Sequence, residues 1–289
     1  YLVGDDVRVT AESNNLAMNG RSSGAAESEF AVIRANSSQL LDLISAAGSA
    51  SPISKQAEAF FFDRNQTIAA ILVWSEESLE RTLPSDISAV NRKFFLANEL
   101  DRSIIKKFFE TNGSALTRAC AGEVIALNAA PFFQTQIIAL LFPWKENGRD
   151  QACIVFFSVE ALADNLSSGY VGISYMINDS GDLLVHPDFE LIRSGASFSD
   201  NPLVKEMRKN NDSKKQIVYT DADGKKYFGA YQKLAVGDIG VFTTIPMRWC
   251  LRQSTERRAI TCISWRRSSV LQSFLFLYIL ALFLVRLKC

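Results

Sequence analysis

Apolar positions recur along the chain at helical and strand periods, and they predict one arrangement of helices and strands that occurs twice. Within residues 25–47 the apolar side chains fall near helical spacing and Gly48 is a plausible stop, so we predict a helix at residues 25–49. The side chains that set this spacing are Phe30, Ile33, Leu40, Leu41 and Ile44. Residues 1–24 are polar and show no clear period, which predicts a disordered or truncated segment.

A first module is predicted over residues 50–165. Residues 57–74 contain two apolar runs around a polar turn, which favours a β-hairpin. Residues 97–113 then show helical spacing and end in Asn-Gly. Three apolar runs close the module and predict strands at residues 122–131, 135–144 and 151–162.

The same order of elements starts again in residues 166–248. VGISYMIN predicts a strand, DSGD a tight turn and LLVH a second strand, after which Pro187 blocks further strand pairing. Two short helices and three closing strands follow, the strands lying in KKQIVYT, KKYFGAYQKL and DIGVFTTIP. We therefore predict an α+β fold built from two similar modules.

An uncharged apolar run at residues 268–285 predicts a transmembrane helix. Its eighteen residues, at about 1.5 Å each, just span a thin bilayer core, and a buried helix of a soluble protein is the alternative. More basic residues precede the run than follow it, which would place the bulk of the chain inside the cell. The chain starts at Tyr1 without an apolar signal, so we expect that sequence upstream is missing.

Composition excludes some classes of partner. The chain has 31 Lys+Arg and 31 Asp+Glu among 289 residues, so no global charge favours nucleic acid. Five cysteines form no CxxC pair and there is one histidine, which argues against a zinc site, and no cofactor is predicted. Cys120 and Cys153 could form a disulfide if this region lies outside the cytoplasm.

Two polar turns could be interpreted as chemical sites. Ser180, Asp182 and His186 have the residue types of a catalytic triad, but alternating strand positions do not bring them together, so a structural role is favoured. Asp221 and Asp223 lack the spacing of a calcium loop and predict a solvated hairpin turn. We therefore predict no enzymatic activity in these residues.

Several of these segments resemble a known family. The series INDSGDLLVHPD, NPLVKEM, YTDADGKKYFGAYQKL and VFTTIP resembles the membrane-proximal half of a double Cache sensor domain. LNAAPFF and LLFPWKENGRDQACIVFFSVEAL resemble the membrane-distal half of the versions carried by bacterial transmembrane adenylate/guanylate cyclases. The resemblance spans roughly residues 25–247. It implies two PAS-like modules with antiparallel sheets, held outside the cytoplasm between two membrane helices.

The resemblance also implies a ligand in the distal module, an output domain beyond the membrane and a homodimer formed through the N-terminal helix. Residues 249–267 depart from the family, which usually runs a short amphipathic helix into the membrane. We treat this segment as juxtamembrane and, despite its basic charge, expect residues 25–248 to be extracytoplasmic at the inner membrane.

Candidate ligand residues lie beside the distal strands. Ligand sites combine apolar walls with a few polar groups, and ordinary core packing is the alternative for each aromatic. The candidates are Trp74, Arg118, Asn128, Phe132, Phe133 and Trp144. Amino-acid-binding members of the family carry Arg-x-Trp-Tyr, whereas LTRACAGEVIAL retains Arg118 without the aromatic pair, so amino-acid binding does not carry over.

We expect the chain to be the small-molecule sensing region of a transmembrane receptor that passes a helix shift across the bilayer. Two alternatives remain open. One is the sensor half of an adenylate/guanylate cyclase, and the other is a protein-interaction ectodomain that binds no small ligand.

Overall fold

The computed structural model describes residues 2–76, 88–146, 148–167 and 172–248. Over these residues the chain forms two five-stranded antiparallel sheets packed against one long helix. The helices are α1 (Leu2–Ala47), α2 (Pro52–Arg64), α3 (Arg92–Ala97), α4 (Ser103–Thr111), α5 (Gly113–Cys120), α6 (Ala130–Phe133), α7 (Glu160–Ser167), α8 (Phe189–Arg193) and α9 (Pro202–Lys209). The strands are β1 (Ile68–Trp74), β2 (Ser88–Val90), β3 (Ile125–Asn128), β4 (Ile137–Glu146), β5 (Arg149–Ser158), β6 (Ile173–Ile177), β7 (Leu183–Val185), β8 (Lys214–Thr220), β9 (Lys226–Lys233) and β10 (Gly240–Pro246).

The two sheets repeat one strand order. The distal sheet runs β2-β1-β5-β4-β3 and the proximal sheet runs β7-β6-β10-β9-β8, so each strand of the first has a counterpart five strands later. The predicted α+β fold with a duplicated module is confirmed. Every neighbouring pair is antiparallel, and the hairpin β4–β5 is paired along its whole length.

Helix α1 is longer than the sequence predicts, because it begins at Leu2 and includes most of the segment predicted to be disordered. Its N-terminal half packs against the proximal sheet through small polar side chains. Asn19 Nδ2 donates hydrogen bonds to the Val241 carbonyl (2.9 Å) and to Thr243 Oγ1 (3.2 Å), and Ser23 Oγ donates to the Asn19 carbonyl. Buried asparagine and serine carry no apolar period, so this half of the helix gave no signal.

The C-terminal half of α1 packs against the distal sheet with apolar side chains. Phe30 meets Phe157 edge to face at 5.5 Å, and Leu41 and Ile44, further along the helix, are fully buried in the same cluster. The helix therefore covers one face of both sheets, and its buried side joins them in one hydrophobic core. The opposite face of each sheet is covered by its own short helices.

The predicted hairpin at residues 57–74 is wrong in its first half. Residues 52–64 form α2, which starts with Ser51 as the N-cap accepting from the Ser54 amide and with Pro52 in the first turn. Phe60 stays exposed under the Arg64 guanidinium, which lies 4.4 Å from the ring centre. The aromatic run of α2 therefore had the apolar pattern of a β-strand, although it lies on a capped helix.

The DSGD turn forms as predicted and joins β6 to β7. Gly181 has φ of +86°, and a Cβ there would lie 2.9 Å from Ser199 Cα, so only glycine fits. His186 Nδ1 accepts a hydrogen bond from the Asp188 amide (2.9 Å), next to the start of α8. In the other turn, Lys225 donates its backbone N–H to Asp221 Oδ1.

No helix within the described ranges is long and apolar enough to cross a membrane. The predicted transmembrane helix at residues 268–285 and the juxtamembrane segment at residues 249–267 lie outside the described residues.

Gly229 on β9 tests how closely α9 packs on the proximal sheet. A Cβ there would lie 2.7 Å from Tyr219 Cε1 and 2.8 Å from Leu203 Cδ2, both buried. We expect Gly229→Ala to lower the free energy of unfolding in urea by about 1–3 kcal/mol, as overpacking does. Gly20→Ala on the open face of α1 should instead raise it by about 0.5–1 kcal/mol. A Gly229→Ala protein as stable as the wild type would contradict this packing.

Candidate functional site

Three of the predicted site residues belong to a packed aromatic core on the face of the distal sheet opposite α1. Trp74, Phe132 and Phe133 pack there with their neighbours, and rings contact one another directly. The ring centres of Phe108 and Phe156 are 4.9 Å apart, and those of Phe133 and Phe156 are 5.0 Å apart. These side chains mainly exclude water and support the helices above the sheet.

Trp144 lies on the other face of the same sheet. Successive residues of β4 alternate between the two faces, so Trp144 faces α1 while Leu141 faces the aromatic core. The indole Nε1 donates a hydrogen bond to Asp42 Oδ1 on α1 at 3.1 Å. Trp144 therefore binds α1 through its indole. It lies on the opposite sheet face from Trp74, so the two residues do not share a site.

Asn128 and Arg118 lie where the two modules meet. Asn128 Nδ2 donates to the Ile192 carbonyl of α8 at 2.7 Å, while its Oδ1 accepts from the Ala130 amide. Arg118 donates to Glu123 Oε2 at 2.8 Å through Nε, and the hydrogen bond to Glu123 raises the pKa of its guanidinium. The six candidates thus occupy three separate places. Their role in ligand binding stays a prediction.

A cavity of about 470 Å³ opens beside α5, within the size range of small-molecule sites. It lies where β1 ends, where the β4–β5 hairpin turns, and where α5 ends. Its lining residues are Ser75, Glu76, Thr117, Cys120, Ala121, Arg149, Asp150 and Gln151. None of the six predicted residues lines it, although Trp74 and Arg118 are each next to one that does.

Glu76 and Asp150 place negative charge near the Cys120 thiol, and Arg149 lines the same cavity. Burial raises the pKa of Cys120 to about 11, and the charges of Glu76 and Asp150 add to the shift. The thiol Sγ donates to the Trp74 carbonyl at 3.7 Å, which holds it at the cavity wall. Asp150 also pairs with Lys145 at 2.9 Å on the outer side of the hairpin. A cationic group of a ligand would be favoured here.

A second cavity of about 470 Å³ lies between α2 and the start of α3. Its walls carry charges of both signs, and burial raises the pKa of Glu58 while Arg92 and Lys55 oppose that rise. Lys93 pairs with Asp63 at 2.6 Å beside it. Its lining includes no residue of α5 and none of the residues that join the modules.

The described residues of the α5 cavity show no activated nucleophile. Its cysteine is held as a thiol by the raised pKa, so it is a poor nucleophile at neutral pH. His186 lies in the other module, where its Nδ1 accepts from the Asp188 amide. Ser180 Oγ donates to Asp179, so these contacts do not pair Ser180 with His186 as a nucleophile with its base. Within the described ranges no three acidic, cysteine or histidine side chains are grouped to hold a metal ion.

Comparison with known proteins finds similarity at the level of structure. No protein-family model and no curated protein matches the chain. The extracellular domain of soHK1S-Z6, described as a histidine kinase, matches with a TM-score of 0.57 and 14% identity, over 86% of this chain and 98% of that one. The ligand-binding domain of the Pseudomonas aeruginosa PAO1 amino acid chemoreceptor PctC in complex with GABA matches with a TM-score of 0.50 and 16% identity, over 81% and 99%.

A third match is the ligand-binding domain of the Pseudomonas fluorescens chemoreceptor CtaA in complex with L-isoleucine. Its TM-score is 0.53 and its identity 11%, over 86% of this chain and 98% of that one. These are sensor domains of the Cache type, and each is matched along nearly its whole length. The chain has the double Cache fold. The fold anticipated from the sequence motifs is confirmed.

Within this double Cache chain, sequence reasoning missed the residues that line the α5 cavity. Glu76 follows an entirely buried strand, and Asp150 lies in the polar hairpin KENGRD. Both are charged residues at strand ends that meet at one sheet edge. The closeness of these two acids can be predicted only once the pairing of β1 with β5 is known.

The charge of the cavity can be tested through its thiol. In the double variant Glu76→Gln with Asp150→Asn, we expect the pKa of Cys120 to fall, because two charges that disfavour the thiolate are removed. Alkylation of Cys120 by iodoacetamide at pH 8 should then become several-fold faster, measured by mass spectrometry at that site. Cys153, fully buried on the opposite sheet face, is the internal control. If the double variant leaves the rate of Cys120 alkylation at pH 8 unchanged, the assigned effect of these two charges is contradicted.

Proposed function

We propose that the chain is the extracytoplasmic small-molecule sensing region of a transmembrane receptor. The double Cache fold supports this function, because matched structures are extracellular or ligand-binding domains of histidine kinases and chemoreceptors. The cavity beside α5 is the observation that carries the proposal. It combines a volume suited to a metabolite with charged groups at fixed positions.

The proposed ligand presents an amine to Glu76 and Asp150. Both carboxylates line the cavity and act on the half-buried Cys120 thiol, so they lie close enough to attract a cation inside it. Charge-assisted hydrogen bonds to carboxylates are stronger than neutral ones, which makes an ammonium group a specific anchor. The ligands of PctC and CtaA in the matched structures, GABA and L-isoleucine, both carry an amine.

A carboxylate on the ligand is not the proposed anchor. Bidentate recognition of a carboxylate calls for an arginine fork. The fork of Arg118 already contacts Glu123 and Asp179, and Arg149, the arginine in the cavity lining, already has a partner of its own. The absence of the Arg-x-Trp-Tyr pattern agrees with this arrangement. We therefore place the selectivity of the site in its two acids.

Three compounds of similar length separate these possibilities: GABA carries both charges, n-butylamine only the cation, and butyrate only the anion. We expect GABA and n-butylamine to raise the midpoint of thermal unfolding and butyrate to leave it unchanged. At a concentration of 100 times Kd the stabilisation is about 2.7 kcal/mol, which moves the midpoint by several degrees.

Matched variants locate the effect. Glu76→Gln with Asp150→Asn should abolish the shift, whereas Glu58→Gln with Asp63→Asn, in the second cavity, should keep it. A shift that survives in the first variant, or a protein that none of the three compounds stabilises, would contradict the proposed site.

The rest of the receptor is proposed from the sequence. We propose that residues 268–285 anchor the sensor in the inner membrane, with the two modules outside and an output domain beyond. Dimerisation through α1 is part of the same proposal. The adenylate/guanylate cyclase output stays a prediction.

A further inference from the structure

The two modules are joined at a seam that side chains from both sides hold together. Asn178 Nδ2, from the end of β6, donates to the Ala126 carbonyl of β3 at 3.3 Å. Asn128 Nδ2 reaches in the opposite direction, to the carbonyl of Ile192. These reciprocal amide hydrogen bonds fix the end of β3 against the β6–β7 turn and α8. We call this contact region the module seam.

An ion pair crosses the seam beside these amides. Arg118 Nη2 lies 3.3 Å from Asp179 Oδ2, while the same guanidinium holds Glu123 within its own module. Asp179 is itself fixed, because Arg208 of α9 donates to its backbone carbonyl. The planar fork of arginine can hold two acids at once in a defined geometry, which a lysine cannot do.

Helix α5 connects this ion pair to the cavity. Arg118 lies between Thr117 and Cys120, both of which line the cavity, on a helix of only two turns. A ligand that moves the wall formed by α5 therefore moves Arg118 with it. On the other side, β6 pairs with β10, the last strand of the proximal module.

We propose that Arg118 is a positioning residue that couples α5, the wall of the cavity, to the β6–β7 turn of the proximal module through Asp179. This gives the DSGD turn a role beyond reversing the chain, because its first acid receives the contact. The part played by this coupling in sensing rests on the proposed function. The coupling itself does not, since it can be measured without a ligand.

One arm of the test starts from the distal module. In the full chain, Arg118→Ala should speed hydrogen exchange of the amides at residues 181–185 by about two- to fivefold, the range that a partly exposed ion pair supports. Lys93→Ala is the matched control, because it removes an exposed ion pair within the distal module. It should leave exchange at residues 181–185 unchanged.

The other arm starts from the proximal module and reads the cavity. Asp179→Asn should speed alkylation of Cys120 by about two- to fivefold, because without the ion pair to Arg118 the α5 helix opens locally more often. Asp179 is not among the charges that shift the pKa of Cys120, so the rate should rise by one factor at every pH. Asp223→Asn, which weakens the pair with Lys225 in the same module, is the control and should leave Cys120 unaffected.

The double variant identifies the path. In an Arg118→Ala background, Asp179→Asn should add no further change at Cys120, because its effect passes through Arg118. Unchanged exchange in the first arm, an unchanged alkylation rate in the second, or additive effects in the double variant would each overturn the proposal. A failed amine screen would not affect these results, so the coupling and the ligand site are judged separately.

Discussion

The burial of one face of α1 against both sheets is the constraint on which the rest of the structure depends. The helix has 46 residues and is about 69 Å long, enough to pass the proximal sheet and continue along the distal one. Asn19 bonds to Val241 in one module, and Phe30 packs on Phe157 in the other. Because a rigid helix shares both cores, the modules cannot be displaced along it independently.

The two halves of α1 also show which parts of the fold could be predicted from the sequence. The apolar half, with Phe30 and Ile44, predicted a helix, and the repeated strand patterns predicted both modules. The polar half was predicted to be disordered or truncated, because Asn15 and Asn19 are buried where a period analysis expects leucine. The burial of Asn19 depends on carbonyl and hydroxyl groups of the proximal sheet, more than two hundred residues later. No local pattern contains that information.

The candidate site was less accessible from sequence than the fold. Aromatic residues beside strands suggested a pocket, yet strand parity places Trp144 on the α1 face and Trp74 in the packed core. Arg118 was predicted to bind a ligand, and the structure pairs it with Asp179 of the other module. The acids of the cavity, Glu76 and Asp150, come together only through the pairing of β1 with β5. The sequence shows the residue types of the site, but it does not show which residues the fold places next to one another.

The proposed sensor must connect its cavity to the module that follows, and α5 touches both. Hydrogen exchange of the full chain with saturating n-butylamine, compared with butyrate, tests this most directly. The amine should slow exchange at residues 117–121 and also at residues 178–183 across the seam, and butyrate should slow neither. Protection confined to residues 55–63 and 90–93 at the second cavity, or none at all, would contradict the account.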